Sequence, residues 1–290
     1  MRTTAILALL ALAIPAMGAS LLGDFCPGTG AQLRSSTNYL IEDTLGQFVV
    51  GESFAPDNGY ACGIIEHGFW HSDIYIPTIP DLRQNPNNSY VDAYAKVVTA
   101  GNDQLYRTFY IADQDRNGAL RVNVGTNPDI HVSPGDMVDV SGIIKGTALD
   151  RYIDYPEVTV RFANVMRLGP FFAANRWLGG NGTDMIQPGG VGLLNTSFLM
   201  KTSGVVTYVD TANPARFFYV DDGSGMSDGQ VIGGNHPRGI RVWISNLAAG
   251  NTIAPPGADD YVTVTGICAT YTISGKTYAQ IRPRSQADIF

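Results

Sequence analysis

The sequence predicts an all-β protein: two tandem five-stranded Greek-key barrels preceded by a short N-terminal β module. Three observations carry this. Short Val/Ile/Thr/Tyr/Phe runs alternate with polar residues at period two, and Asn-Gly and Pro-Gly turns punctuate them, with 33 glycines in 290 residues. No amphipathic helix longer than one or two turns stands out. Four blocks also recur in the same order. "KVVT" (Lys96 to Thr99), "FYIAD" (Phe109 to Asp113), "LRVNV" (Leu120 to Val124) and "DMVDVSGII" (Asp136 to Ile144) return as "GVVT" (Gly204 to Thr207), "FYVDD" (Phe218 to Asp222), "IRVWI" (Ile240 to Ile244) and "DYVTVTGIC" (Asp260 to Cys268).

In chain order, residues 1–19 read as a secretory signal peptide. Arg2 precedes an apolar run from Ala5 to Ile14, too short to span a bilayer core of roughly 30 Å, and Ala16-Met17-Gly18 suits a cleavage site. Residues 20–73 form the β module. Residues 74–88, rich in Pro and Asn, read as a semi-rigid extended spacer. Residues 89–168 make the first barrel, 169–195 a Gly-rich connector, and 196–290 the second barrel. The connector carries Phe171, Phe172, Trp177 and Leu178, so it is expected to pack across a domain rather than hang free.

Each copy runs as a first strand, a hairpin of second and third strands, a fourth strand ending in Ser/Thr-Gly, and a closing strand. That rhythm fits a small barrel of the OB type. Alternation sends Phe109, Ile111, Leu120 and Val122 inward in the first copy, and Phe218, Val220, Ile240 and Val242 in the second. Gly142 and Gly266 would let the fourth strand bend at a barrel corner.

The pattern "VVT…FYVDDGSG…GIRV…YVTVTGI" resembles the OB-fold-like repeats of secreted bacterial proteins. The stretch "STNYLIEDTLGQFVVGESFAPDNGYACGIIEHGFW" resembles a short bacterial extracellular module with a T-x-G-Q turn and a terminal Gly-Phe-Trp. Together these resemblances cover most of the mature chain. They imply export and architecture and carry over no catalytic motif.

The chain has 19 basic and 26 acidic residues, a net charge of −7. An acidic surface repels phosphate backbones, which disfavours generic nucleic-acid binding. Carbohydrate or protein partners are therefore expected ahead of nucleic acid, with no membrane span. Cys26 and Cys62 are the expected disulfide, leaving Cys268 as a buried thiol in a strand.

Three site candidates emerge. Asp113, Asp115 and Asn117 open a D-x-D-x-N-G run like the start of a calcium loop. Val124 stands where the closing bidentate carboxylate belongs, so the turn of a β-hairpin is the competing account. The cofactor expectation is none, with calcium in this turn as the alternative. Cys62, His67 and His71, with Cys26, have zinc-like residue types, against which stand a disulfide and incidental histidines. The third is a ligand-binding platform. If Phe109 and Ile111 point inward, Tyr110 points out beside Arg121 and Asn123, and the second copy places Tyr219, Arg241 and Trp243 equivalently. OB folds bind on this face through stacking aromatics and arginine. The competing account is that these side chains support the hairpin or join the two copies.

No nucleophile, base and acid fall into a catalytic constellation. The sequence thus predicts a secreted, non-catalytic binding or interaction protein. Its alternatives are an accessory or active part of an extracellular nuclease or hydrolase, and single-stranded nucleic-acid binding through the OB faces.

Overall fold

The computed structural model describes residues 77–290 apart from 128 and 181–189, together with the backbone of four strands between residues 31 and 67. The signal-peptide segment, Cys26, Cys62 and His71 lie outside the described residues, as does the His67 side chain. The chain divides into two units, Met1–Tyr75 and Ile76–Phe290.

In the first unit, β1 (Ala31–Ser35), β2 (Leu40–Thr44), β3 (Gly51–Phe54) and β4 (Ile65–His67) form an antiparallel sheet in sequence order. Leu33 faces Glu42, Ile41 faces Ser53, and Glu52 faces Glu66.

The second unit opens with a helix where the sequence suggested an extended spacer. Helix α1 (Ile79–Gln84) begins at a capping box, in which the Thr78 hydroxyl accepts from the Asp81 amide and the Asp81 carboxylate accepts from the Thr78 amide. Pro80 suits the first turn, where a missing N–H costs nothing, and Pro86 follows the helix end. Ile79 and Leu82, three apart and so on one face, are buried in the core of the first barrel. The helix plugs that barrel, and the spacer expectation is corrected accordingly.

The first barrel closes from β5 (Tyr90–Ala100), β6 (Thr108–Ala112), β7 (Ala119–Asn123), β8 (Met137–Gly146) and β9 (Arg151–Phe162), in the order β5-β6-β7-β9-β8. β5 is long enough to pair with both β6 and β8, and its register shifts on each side let it curve. The parallel pairing of β7 with β9 closes the ring.

In the second barrel, β11 (Leu199–Val209), β12 (Phe217–Asp221), β13 (Ile240–Trp243), β14 (Tyr261–Ile273) and β15 (Lys276–Arg282) pair in the order β11-β12-β13-β15-β14. The β11–β14 pairing then completes a ring with the strand order of the first. β10 (Phe171–Phe172) adds a short parallel strand beside β11. The architecture is therefore all-β, with two five-stranded OB-like barrels.

The inward-facing residues are where alternation put them: Phe109, Ile111, Leu120 and Val122 are buried in one core, Phe218, Val220, Ile240 and Val242 in the other. The two corner glycines meet a different need. A Cβ at Gly142 would sit 2.8 Å from the Asp154 carbonyl oxygen and one at Gly266 2.5 Å from that of Arg282, so the neighbouring strand passes too close for any side chain.

In the connector, Leu178 is fully buried in the second core. Asn175, also buried, donates to the Val220 carbonyl and accepts from the Thr202 hydroxyl. Phe172 and Trp177 instead face solvent.

A third apolar cluster joins the barrels. Ala100, Leu105 and Tyr110 of the first pack against Leu199 and Ile267 of the second, with Leu247 alongside. Leu105 and Leu247 form an isolated β-bridge, flanked by hydrogen bonds from the Tyr106 amide to the Asn246 carbonyl and from the Ala248 amide to the Gln104 carbonyl, both 3.0 Å. Arg284 reaches across to the Thr99 carbonyl at 2.9 Å.

Candidate functional site

Both expected platform faces turn toward the junction of the barrels. Cross-strand register sets Tyr110 opposite Arg121, and Tyr219 opposite Arg241 with Phe217 opposite Trp243. The tyrosines do point away from the barrel interiors, yet both are buried: Tyr110 enters the inter-barrel cluster at 2% exposure and Tyr219 lies at 1% under other aromatics. What stays accessible is a groove of about 370 Å³ between the barrels. Arg121 and Asp150 wall it on one side. Arg241, Trp243, Tyr271, Gln280 and Arg282 wall it on the other, with the edge of Tyr110 at the junction.

The arginines are not equivalent. Arg121 holds Asp150 through two bonds of 3.1 and 2.8 Å and lies 4.4 Å over the Tyr152 ring. Among the described residues no carboxylate lies against the Arg241 guanidinium, which sits 4.4 to 4.5 Å over Phe217, Trp243 and Tyr271. Phe217 and Trp243 stack nearly parallel, 8° apart, so Arg241 rides on a continuous aromatic surface. Arg282 donates to the Asn246 carbonyl at 3.3 Å. Among the described residues the buried Nε atoms of Arg241 and Arg282 and the Oε1 of Gln280 have no hydrogen-bond partner, although buried polar groups in folded proteins are nearly always paired.

The aromatic wall is fixed from behind. The β12–β13 loop anchors its Met226 in the interior and brings Asp228, buried, to accept hydrogen bonds from the hydroxyls of both Tyr219 and Tyr271. Burial, reinforced by Asp228 beside them, pushes both hydroxyls above the usual tyrosine range. Each remains a neutral donor at neutral pH.

Asn123 stands apart from the groove. It donates to Asp154 at 2.7 Å, as does Lys145 at 2.8 Å. Burial works against ionisation of Asp154, but the bonds from Lys145 and Asn123 prevail and hold its carboxyl below the usual range.

The calcium arrangement does not form. Asp113 is buried and both its oxygens are taken: Oδ1 by the Lys96 ammonium at 2.7 Å, Oδ2 by the Ile79 amide at 2.9 Å. Asp115 accepts from the Asn117 amide at 2.9 Å in an ordinary Asx turn. Asp113 thus fastens α1 to the barrel. Among the described residues no group of three or more His, Cys, Asp or Glu could hold a metal ion. His131 and His236 are exposed and apart, and Cys268 is buried as a free thiol.

Sequence reasoning missed Asp150, Asp228, Tyr271, Gln280 and Arg282. Gln280 and Arg282 alternate outward on β15, a legible signal. Their place beside Arg241 follows only from the parallel β13–β15 pairing, which sets Arg241 opposite Gln280.

No protein-family model matches the chain, and no curated protein matches it. Among solved structures it is similar to the Ifi202 HINa domain in complex with 20-bp double-stranded DNA, at 11% identity and a TM-score of 0.31, over 70% of this chain and 95% of that one. It is also similar to p202 HIN1 in complex with 12-mer double-stranded DNA, at 13% identity and a TM-score of 0.29, over 67% and 88%. The expectation of a carbohydrate or protein partner ahead of nucleic acid is corrected, because the tyrosines on which its open platform rested are covered.

Proposed function

We propose that this chain is an exported nucleic-acid-binding protein that holds a single strand in the groove between its two OB-like barrels. The observation that carries the reading is Arg241: a guanidinium that meets no carboxylate among the described residues, spread over Phe217, Trp243 and Tyr271 at a groove that Arg282 also lines. Single strands are held by such a pairing of cation and flat ring, because every base has a face to stack and every linkage a charge to meet. Wrapping a duplex requires rows of Lys and Arg along its backbone. A chain of net charge −7 is poorly suited to that, whereas one local cationic groove is compatible with it. Export belongs to the same proposal and rests on the sequence of residues 1–19.

The test is fluorescence anisotropy of the mature protein with a labelled single strand within the roughly 4–16 nucleotides that OB-type sites cover. Binding is expected, weakening as salt rises. Trp243→Ala and Arg241→Met should each cost about 1–3 kcal/mol, or about 5- to 150-fold in Kd. Absence of binding at low salt, or unchanged affinity in both variants, would overturn the proposal.

A further inference from the structure

We infer that the groove selects a terminal phosphate, the phosphomonoester at the end of a strand, over the phosphodiesters within it. The inference rests on the nucleic-acid reading of this groove and goes beyond it by naming the chemical group bound.

Charge is the first argument. Three arginines, Arg121, Arg241 and Arg282, line the groove against one carboxylate, Asp150. Asp150 is spent on Arg121 through two bonds. Two positive charges are therefore left facing the space, those of Arg241 and Arg282. Asp228 sits behind Tyr271 and Tyr219, engaged by their hydroxyls, and is not part of the lining. An internal phosphodiester brings a single negative charge, but a phosphomonoester brings about −1.5 to −2 at pH 7 and three acceptor oxygens. The uncompensated charge of the groove matches the monoester.

Size and shape are the second. About 370 Å³ is near the lower end of the roughly 300–1,000 Å³ of small-ligand sites. It accepts a nucleotide-sized group and excludes a duplex, whose major groove alone is about 12 Å wide. The walls come from two barrels joined by the Leu105–Leu247 bridge and its flanking hydrogen bonds, which hold them at this spacing.

Unsatisfied bonding is the third. Among the described residues, Arg241 Nε and Arg282 Nε are donors with no partner on two side chains that line the same groove. A phosphate drawing the two guanidinium groups toward it would satisfy donors of this kind in charge-assisted bonds. Trp243, half-buried under Arg241 at the groove wall, lines the space beside that phosphate where the adjoining base would sit.

The experiment compares four forms of one labelled single strand on the mature full-length protein: 5′-phosphorylated, 3′-phosphorylated, both ends hydroxyl, and annealed to its complement. Inorganic phosphate and a mononucleotide serve as competitors. One phosphorylated form is expected to bind about tenfold or more tighter than the hydroxyl form. Arg241→Met should erase that difference. Asp150→Asn, which adds a net positive charge without removing an arginine, should tighten the phosphorylated form at least about twofold. Because these variants act in opposite directions, loss of folding cannot imitate the pattern. Equal affinity for phosphorylated and hydroxyl ends overturns the inference while leaving single-strand binding standing. Competition by mononucleotide as strong as that by the phosphorylated strand supports the terminal phosphate and overturns the strand as its source. Binding of none of these overturns both.

Discussion

The buried pair Lys96–Asp113 makes the sharpest energetic prediction. The ammonium lies 2.7 Å from Asp113 Oδ1 and 2.7 Å from the Pro77 carbonyl, and the two side chains are 4% and 8% exposed. Lys96→Met leaves the Asp113 carboxylate with only the Ile79 amide in an apolar surround, and removing one partner of such a pair typically costs about 3–5 kcal/mol. Asp113→Ala strands the Lys96 charge at a similar cost and orphans the Ile79 amide, itself worth about 1–3 kcal/mol. The double variant removes both charges together. It should cost little more than either single change, giving a coupling of about 3 kcal/mol in a double-mutant cycle. Urea denaturation followed by circular dichroism measures all four proteins. Single effects that add to within about 0.5 kcal/mol would refute the reasoning, because uncoupled groups do not form a buried pair. A urea midpoint that rises with added calcium would also refute it, since the ion would have to displace Lys96 from Asp113.

Three further outcomes are expected. Leu105→Ala, at a fully buried position of the inter-barrel cluster, should cost about 2–5 kcal/mol and keep a single thermal transition; two separated transitions would show that the barrels do not depend on each other. Gly266→Ala puts a Cβ 2.5 Å from the Arg282 carbonyl oxygen, a backbone atom that cannot turn aside, so calorimetry should find a loss of at least about 2 kcal/mol. Burial pushes the Cys268 thiol up to about 12, and the Tyr219 and Tyr271 hydroxyls are raised as well. The folded state therefore keeps these protons when the unfolded chain, with a thiol near about 8.5, has released them. Stability should hold below about pH 8.5 and fall as pH rises toward 12, with mass-mapped alkylation of Cys268 slow until the protein unfolds. A urea midpoint flat from pH 8 to pH 11 would contradict this.

The barrels were legible because a closed sheet imposes a local rule: Phe109 and Ile111, or Ile240 and Val242, must share a face, and period two reports it directly. The same rule says that Tyr110 leaves the barrel interior but nothing about what lies against it. A second barrel does, and of the two accounts, open platform or junction between the copies, Tyr110 takes the second. Helix α1 escaped notice because its six residues fall among Pro and Asn, and its apolar face is only Ile79 and Leu82. Its clearest trace was Thr78-x-x-Asp81, a helix-start signature. Asp113 was left between a calcium loop and a hairpin turn because alternating acids look alike whether they gather an ion or hold a lysine, and Lys96 approaches it only when β5 pairs beside β6. Alternation along β15 sends Gln280 and Arg282 outward, but their place in the groove comes from the parallel β13–β15 pairing, a non-local event that spacing does not report.

The seam between the barrels bears on thermodynamics as much as on shape. Because Leu105, Tyr110, Leu199 and Ile267 already bury one another, the walls that carry Arg121 and Arg241 are set before any ligand arrives. Little ordering entropy remains to be lost on binding, so more of the contact free energy appears as affinity. Occupation of the groove should then raise the melting temperature of both barrels as one, in proportion to the logarithm of ligand concentration once the site is saturated. Thermal shift therefore offers a route to the ligand that needs no assay of function.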